Sequence, residues 1–161
     1  MVVYDAWKRW LYRGDRPHRV ASLTNRAQAT LASAGLPPKR LVTLEVQGRR
    51  SGRMRSFPVV VADYEGERYL VAMLGNDANW IRNARAAGGK VFLHHGRREA
   101  VHLDEIEPNA RAPIIQRYLE VAPGARPHIP VDRRAPLAEF ERIAGRIPVF
   151  RIGAAYTAPR T

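Results

Sequence analysis

The stretch Gly48-Arg49-Arg50-Ser51-Gly52-Arg53-Met54-Arg55 gathers four arginines and a serine around two glycines. Each guanidinium offers a planar fork that pairs two oxygens of a phosphate or carboxylate at once. Glycine lets a backbone approach a ligand closely, and successive N–H groups in such a turn form an anion-binding nest. The serine adds a hydroxyl donor. This is the chemistry of an anion site. The competing reading is a solvated basic hairpin tip. The glycine spacing matches neither the P-loop nor the dinucleotide-binding fingerprint, and no helix follows directly.

A second candidate is Gly75-Asn76-Asp77-Ala78-Asn79-Trp80-Ile81-Arg82-Asn83. A helix start capped by Asn76 or Asp77 presents unpaired N–H groups and the positive end of the helix dipole. Trp80 offers a flat apolar wall and an indole donor, or else fills a core. Other constellations fall short of a reaction centre. His94 and His95 are adjacent, so on a strand they point to opposite faces and do not readily share a metal. His102 could join one of them across a hairpin, but no third ligand is in sight. The histidines read as structural and no metal site is expected. Ser22, Ser33, Ser51 and Ser56 lack a nucleophile-elbow context. Asp104, Glu105 and Glu107 read as the exposed side of a strand end. No catalytic side chain is nominated.

These residues need elements to hold them. Val3, Ala6, Trp7, Trp10 and Leu11 form a helical stripe over residues 1–13, with Lys8, Arg9 and Arg13 mostly off it. Such a helix covers its own core or lies at a membrane surface. Val20, Leu23, Ala27, Leu31 and Ala34 mark a second helix, stopped by Gly35 and Pro37-Pro38. The pattern then changes to β-branched runs. Strands are expected over Leu41–Val46, Phe57–Tyr64, Arg68–Met73, Lys90–His94, Glu99–Ile106 and Ile147–Ile152. The Val59–Ala62 run is apolar throughout, so the strand carrying it should be covered on both faces. Helices are expected over Ala78–Ala87, from Pro108 or Asn109 to Glu120, and over Leu137–Ala144. A proline-rich loop separates the last two, and the tail after Gly153 reads as frayed.

The chain of 161 residues suits one domain. We expect an N-terminal helical segment (1–36), a barrel core (40–107), and helices with a closing strand (108–161). Strands joined by tight turns argue an α+β fold, mostly antiparallel, with about six strands and flanking helices rather than a doubly wound parallel sheet. There are no cysteines, which excludes disulfides, thiolate metal sites and a cysteine nucleophile. No apolar run reaches the length that spans a bilayer and no signal-peptide core is evident, so a cytoplasmic place is expected, either free or peripheral to the inner face of the membrane. The net charge of +12 suits an anionic partner. Nucleic acid is disfavoured, because the arginine turn carries no aromatic but nearby Phe57 on which bases could stack.

Taken together, Val42-Thr43-Leu44 leading into Gly48-Arg49-Arg50-Ser51-Gly52, then Arg55 and Pro58, then Asn79-Trp80 and Asn83, resemble the deazaflavin-dependent nitroreductase family. Its members are also called F-420-dependent quinone reductases. The resemblance runs from about Leu41 to Ile106. It implies a split β-barrel related to FMN-binding oxidases, and an arginine turn that holds the phosphate and oligoglutamate tail of coenzyme F-420. By position it nominates Arg49, Arg50 and Ser51, then Arg55, Ser56, Phe57, Pro58, Val59 and Val60. Ala72, Met73, Leu74 and Gly75 would line the ring, and Asn79, Trp80, Ile81, Arg82 and Asn83 would complete the site. Arg50 stands where the family usually has lysine, and Met73 and Leu74 are bulkier than its usual residues.

The implied reaction moves a hydride from the reduced deazaflavin to a quinone, nitroaromatic or activated enone. The family's tyrosine-rich substrate region has no counterpart in Ala122–Val131; Tyr118, His128 and Trp7 are the substrate-side candidates. Two alternatives stay open: an FMN-dependent reductase of the same fold, and a non-catalytic binder of lipid or another hydrophobic ligand.

Overall fold

A computed structural model describes residues 40–153. The expected helices over residues 1–13 and 20–34, the candidate Trp7 and the tail after Gly153 lie outside them. The described residues form six strands: β1 (Leu41–Gln47), β2 (Met54–Tyr64), β3 (Glu67–Val71), β4 (Lys90–His95), β5 (Arg97–Glu105) and β6 (Val149–Ile152). They close into a barrel in the order β1-β2-β3-β6-β5-β4, with β4 returning to β1. Every pairing is antiparallel. Three α-helices accompany them among the described residues: α1 (Asn79–Ala86), α2 (Ala112–Val121) and α3 (Leu137–Ile143).

The eleven-residue β2 turns one corner of the barrel. Its first part, Met54 to Val60, pairs with β1, and its second part, Val61 to Tyr64, pairs with β3. Side chains alternate across a strand. Phe57, Val59 and Val61 therefore fill the barrel with Leu44, Val46 and Leu70, while Val60 and Ala62 pack outward beneath α2 and α3. The continuous apolar run is covered on both faces, as its composition requires. The β2–β3 hairpin turns at Glu65 (φ 48°) and Gly66 (φ 79°). Two successive positive φ values give the turn type whose twist matches paired strands.

Helix α1 plugs one end of the barrel. Trp80, Ile81 and Ala84 enter the interior cluster, and the Trp80 ring lies 5.7 Å from Phe150, tilted by 58°. The helix ends where Gly88 and Gly89 take left-handed φ. Its start corrects the sequence reading. The residue before α1 is Ala78, and no side chain caps it. Asn76 and Asp77 lie in a short 3-10 turn (Gly75–Asp77), one or two residues too early to cap. Their oxygens instead accept from Arg85 and Arg82.

Other boundaries also move. Pro108–Ala110 is a separate 3-10 turn, so α2 begins four residues later than expected from Pro108. Buried Arg111 divides the two: it donates to the carbonyls of Ile106, Ala144 and Ile147, tying the end of β5 to the lead-in of β6. Burial lowers its guanidinium from its ordinary value. Strand β6 begins at Val149, after Pro148, which has no N–H for the ladder. No helix among the described residues is long and apolar enough to cross a membrane.

Candidate functional site

The β1–β2 connection is the arginine turn. The Gly48 N–H donates to the Arg53 carbonyl (2.7 Å) and the Gly52 N–H to the Gly48 carbonyl (2.9 Å). Gly52 sits at φ +71°, and the Gln47 amide donates to its carbonyl at 3.2 Å. A Cβ on Gly48 would come within 2.8 Å of Ser51 Oγ and 3.2 Å of the Arg53 carbonyl oxygen. A side chain there would push Ser51 Oγ aside and crowd the Arg53 carbonyl, because the loop folds back upon itself. Ser51 Oγ accepts the Arg53 N–H at 3.2 Å.

The two sequence motifs meet. Asn83 on α1 is 4% exposed, and its Oδ1 accepts both the Arg49 backbone N–H (3.2 Å) and the Arg49 guanidinium (2.8 Å). Among the described residues, the Arg50 side chain makes no hydrogen bond or ion pair, nor does that of Arg53. Arg55 is half-buried on β2 opposite Val46, beneath the turn. Ser56 follows it on the outer parity, opposite Glu45.

Beside the turn, the barrel is split. Beyond the Val61–Leu70 pair, β2 and β3 part company. Between them runs a groove open to solvent. One wall is Phe57, Pro58, Val59 and Val60 of β2, and the other is Val71, Met73 and Leu74. Asp77, Ala78, Asn79 and Trp80 form one end, and Tyr118 of α2 also lines it. Pro58 suits this place, since a strand edge without a ladder neighbour does not need its missing N–H. At roughly 3.3 Å per residue, Phe57 lies about 13 Å along β2 from Arg53, so a cationic turn and an apolar slot lie within reach of one extended ligand.

The nominated residues thus sort into groups. Phe57, Pro58, Val59, Val60, Met73, Leu74, Asn79, Trp80 and Tyr118 line the groove. Arg49, Arg50, Ser51 and Asn83 belong to the turn and its support. Ala72 and Ile81 face the barrel interior, Gly75 (φ +80°) shapes the 3-10 turn, and Arg82 pairs with Asp77 at 2.7 Å. His128 is half-buried in the loop after α2, its N–H bonded to the Ala125 carbonyl. Tyr118 is 2% exposed, and burial pushes its hydroxyl above its ordinary value, so it stays neutral and can donate a hydrogen bond.

Sequence reasoning passed over Val71; it counted Arg53 in the arginine turn, and Asp77 and Ala78 in the second stretch, but nominated none of the three as site residues. Arg53 was visible in the motif itself. Val71 was hidden because only the point at which β3 leaves β2 exposes it.

The histidine alternative fails on register. His102 stands opposite Lys90, whereas His94 and His95 stand opposite Arg98 and Arg97. His102 instead contacts Asp104 and the Gly88 carbonyl, each at 2.9 Å. No cluster of three metal-ligating side chains occurs among the described residues. Glu105 pairs with Arg85 at 2.7 Å and Asp104 with Arg151 at 3.2 Å, which are structural roles.

These features fit the coenzyme named by the resemblance: uncompensated cations for a polyanionic tail, and a narrow apolar slot for a flat ring. The model of the F-420H(2)-dependent quinone reductase family matches residues 18–137 of the chain. A comparison with curated proteins returns no match. Among solved structures, an F-420-H2-dependent reductase is 23% identical over 71% of this chain and 94% of its own, with a TM-score of 0.44. A protein of unknown function from Agrobacterium tumefaciens is 14% identical over 73% of this chain and 49% of its own, at a TM-score of 0.53, a likeness of fold alone. A heme-binding protein from Mycobacterium smegmatis is 13% identical over 86% of this chain and 52% of its own, at 0.48.

Proposed function

The chain belongs to the F-420H(2)-dependent quinone reductase family, and on that premise we propose that its groove is where the reduced coenzyme meets a small, neutral, hydrophobic acceptor. The protein is an oxidoreductase and its cofactor is coenzyme F-420. When bound, that group supplies a hydride. The acceptor is a quinone first, with nitroaromatics and activated enones as further electron-poor classes.

The chain's own residues hold and shield. Arg50 and Arg53 take the anionic tail, with Ser51 beside them; charge-assisted bonds of this kind are the strong ones. Pro58, Val60, Val71 and Met73 keep the slot apolar and exclude water from the reacting faces. Trp80 backs one end, and its own burial in the barrel core fixes that wall. The neutral Tyr118 hydroxyl can donate to a carbonyl oxygen of the acceptor. The proton that completes the reduction comes from solvent. Residues 1–13 remain our candidate for contact with a membrane surface, where lipid quinones reside.

The observation that carries this reading is the continuity of β2 and α1 between the cationic turn and the groove. The test is anaerobic mixing of the protein, reduced coenzyme and menadione, following the visible absorbance of the oxidised coenzyme. We expect that absorbance to return at a rate proportional to enzyme. Tight coenzyme binding with no return of absorbance would overturn the catalytic reading.

A further inference from the structure

We propose that Asn83 is a positioning residue: it tethers Arg49, and through Arg49 fixes the turn so that Arg50 and Arg53 are left to the ligand. This rests on the coenzyme-in-turn reading for its consequence, but not for its geometry. Asn83 is one of three buried polar residues among those described, with Thr43 and Arg111. It sits on α1 between side chains that are locked in the barrel interior, Trp80, Ile81 and Ala84. Its support is therefore rigid.

The amide orientation follows from its partners. Two Arg49 donors converge on one atom, at 3.2 and 2.8 Å, so that atom must be the oxygen. An amide oxygen facing the turn would repel a phosphate or carboxylate. Its place next to four arginines makes sense only as an acceptor for the protein itself. Arg49 correspondingly spends a guanidinium N–H on a neutral partner rather than on an anion. The contact joins residues 34 apart in sequence, and it supplements the loop's internal bonds with one to a packed helix. Holding a loop in its bound shape removes an ordering cost from ligand binding.

The test has an arm that needs no coenzyme. Amide hydrogen exchange at Arg49 should quicken about tenfold or more in Asn83→Ala, in line with a lost hydrogen bond to a well-placed partner. Exchange at Leu44 and Val46, in the ladder of β1, should not change. Asn83→Asp should restore the protection, because a carboxylate accepts the same two donors. In the second arm, Asn83→Ala should weaken binding of the intact coenzyme about tenfold. The deazaflavin chromophore lacking the phosphate and tail should bind as it does to the parent protein. Unchanged Arg49 exchange in Asn83→Ala, no rescue by Asn83→Asp, or equal weakening of both ligands would each overturn the proposal. If the parent protein fails to bind coenzyme at all, the functional reading falls, and the exchange arm still decides the tether.

Discussion

Strand β2 carries an arginine cluster at each end, and the two are built on opposite terms. At the Tyr64 end, Asp63 is met by Arg40 and by Arg117, which also reaches Glu120 at 2.9 Å and the Asp63 carbonyl at 3.1 Å. Every cation there has an anion of the protein's own. At the Met54 end, four arginines stand within seven residues. Arg49 is held by a neutral amide, and neither Arg50 nor Arg53 meets a carboxylate among the described residues. A compensated cluster fastens α2 to the barrel. Arg50 and Arg53, which have no counter-charge among the described residues, repel each other in the absence of an anion, a cost that a ligand removes. The same residue type thus serves the fold at one end and is proposed to serve binding at the other.

The largest effect that would break this contrast is at the turn. The double change Arg50→Ala/Arg53→Ala removes two bonds to charged groups, each contributing about 1.5–3 kcal/mol. Coenzyme affinity, read by fluorescence titration, should fall roughly a hundredfold or more. The melting temperature should hold or rise slightly, since self-repulsion is relieved. Next comes Gly48→Ala. The added Cβ meets Ser51 Oγ and the Arg53 carbonyl. Crowding of this kind costs about 1–3 kcal/mol, so melting should drop by several degrees and coenzyme affinity by about tenfold.

Smaller effects are expected at the other end. Asp63→Ala should lower the melting temperature by only about 2–4 °C, because exposed ion pairs are screened and contribute little. Coenzyme affinity should stay within about twofold. The acid limb sharpens this. The Arg40 hydrogen bond, against a smaller desolvation effect, holds the Asp63 carboxyl below its ordinary value. A depressed folded value adds stability above the unfolded value of about 4, and that stability is lost as pH falls through the folded value. Urea midpoints between about pH 5 and 2 should therefore fall more steeply for the parent protein than for Asp63→Asn. Parallel curves would mean that the Asp63 cluster is not the fastening we describe.

Much of the fold was legible because the signals were local. The β-branched runs, the Glu65-Gly66 turn and the Gly88-Gly89 stop lie where the chain's own periodicity puts them. The two-faced Val59–Ala62 segment needed only its composition. The boundaries failed where tertiary bonds decide: Asn76 and Asp77 were drawn away from capping by Arg85 and Arg82, and Arg111 splits one expected helix into a turn and a helix. The anion turn was readable as chemistry, since Gly48, Ser51 and the arginines carry it in eight residues. The groove was not, because it arises where β3 diverges from β2, and that register is invisible in either strand alone. The Asn83–Arg49 contact likewise joins distant segments, and only the resemblance brought both residues into one list.

A turn that holds a polyanion through Arg50 and Arg53 should release it as salt rises. The deciding experiment titrates coenzyme F-420 over a salt series against the parent protein, Arg50→Ala/Arg53→Ala and Asp63→Ala. Exposed charge pairing is screened by salt. A steep loss of affinity with salt is expected for the parent and for Asp63→Ala, and a markedly shallower one for the turn variant. The same slope in all three proteins would contradict binding through Arg50 and Arg53.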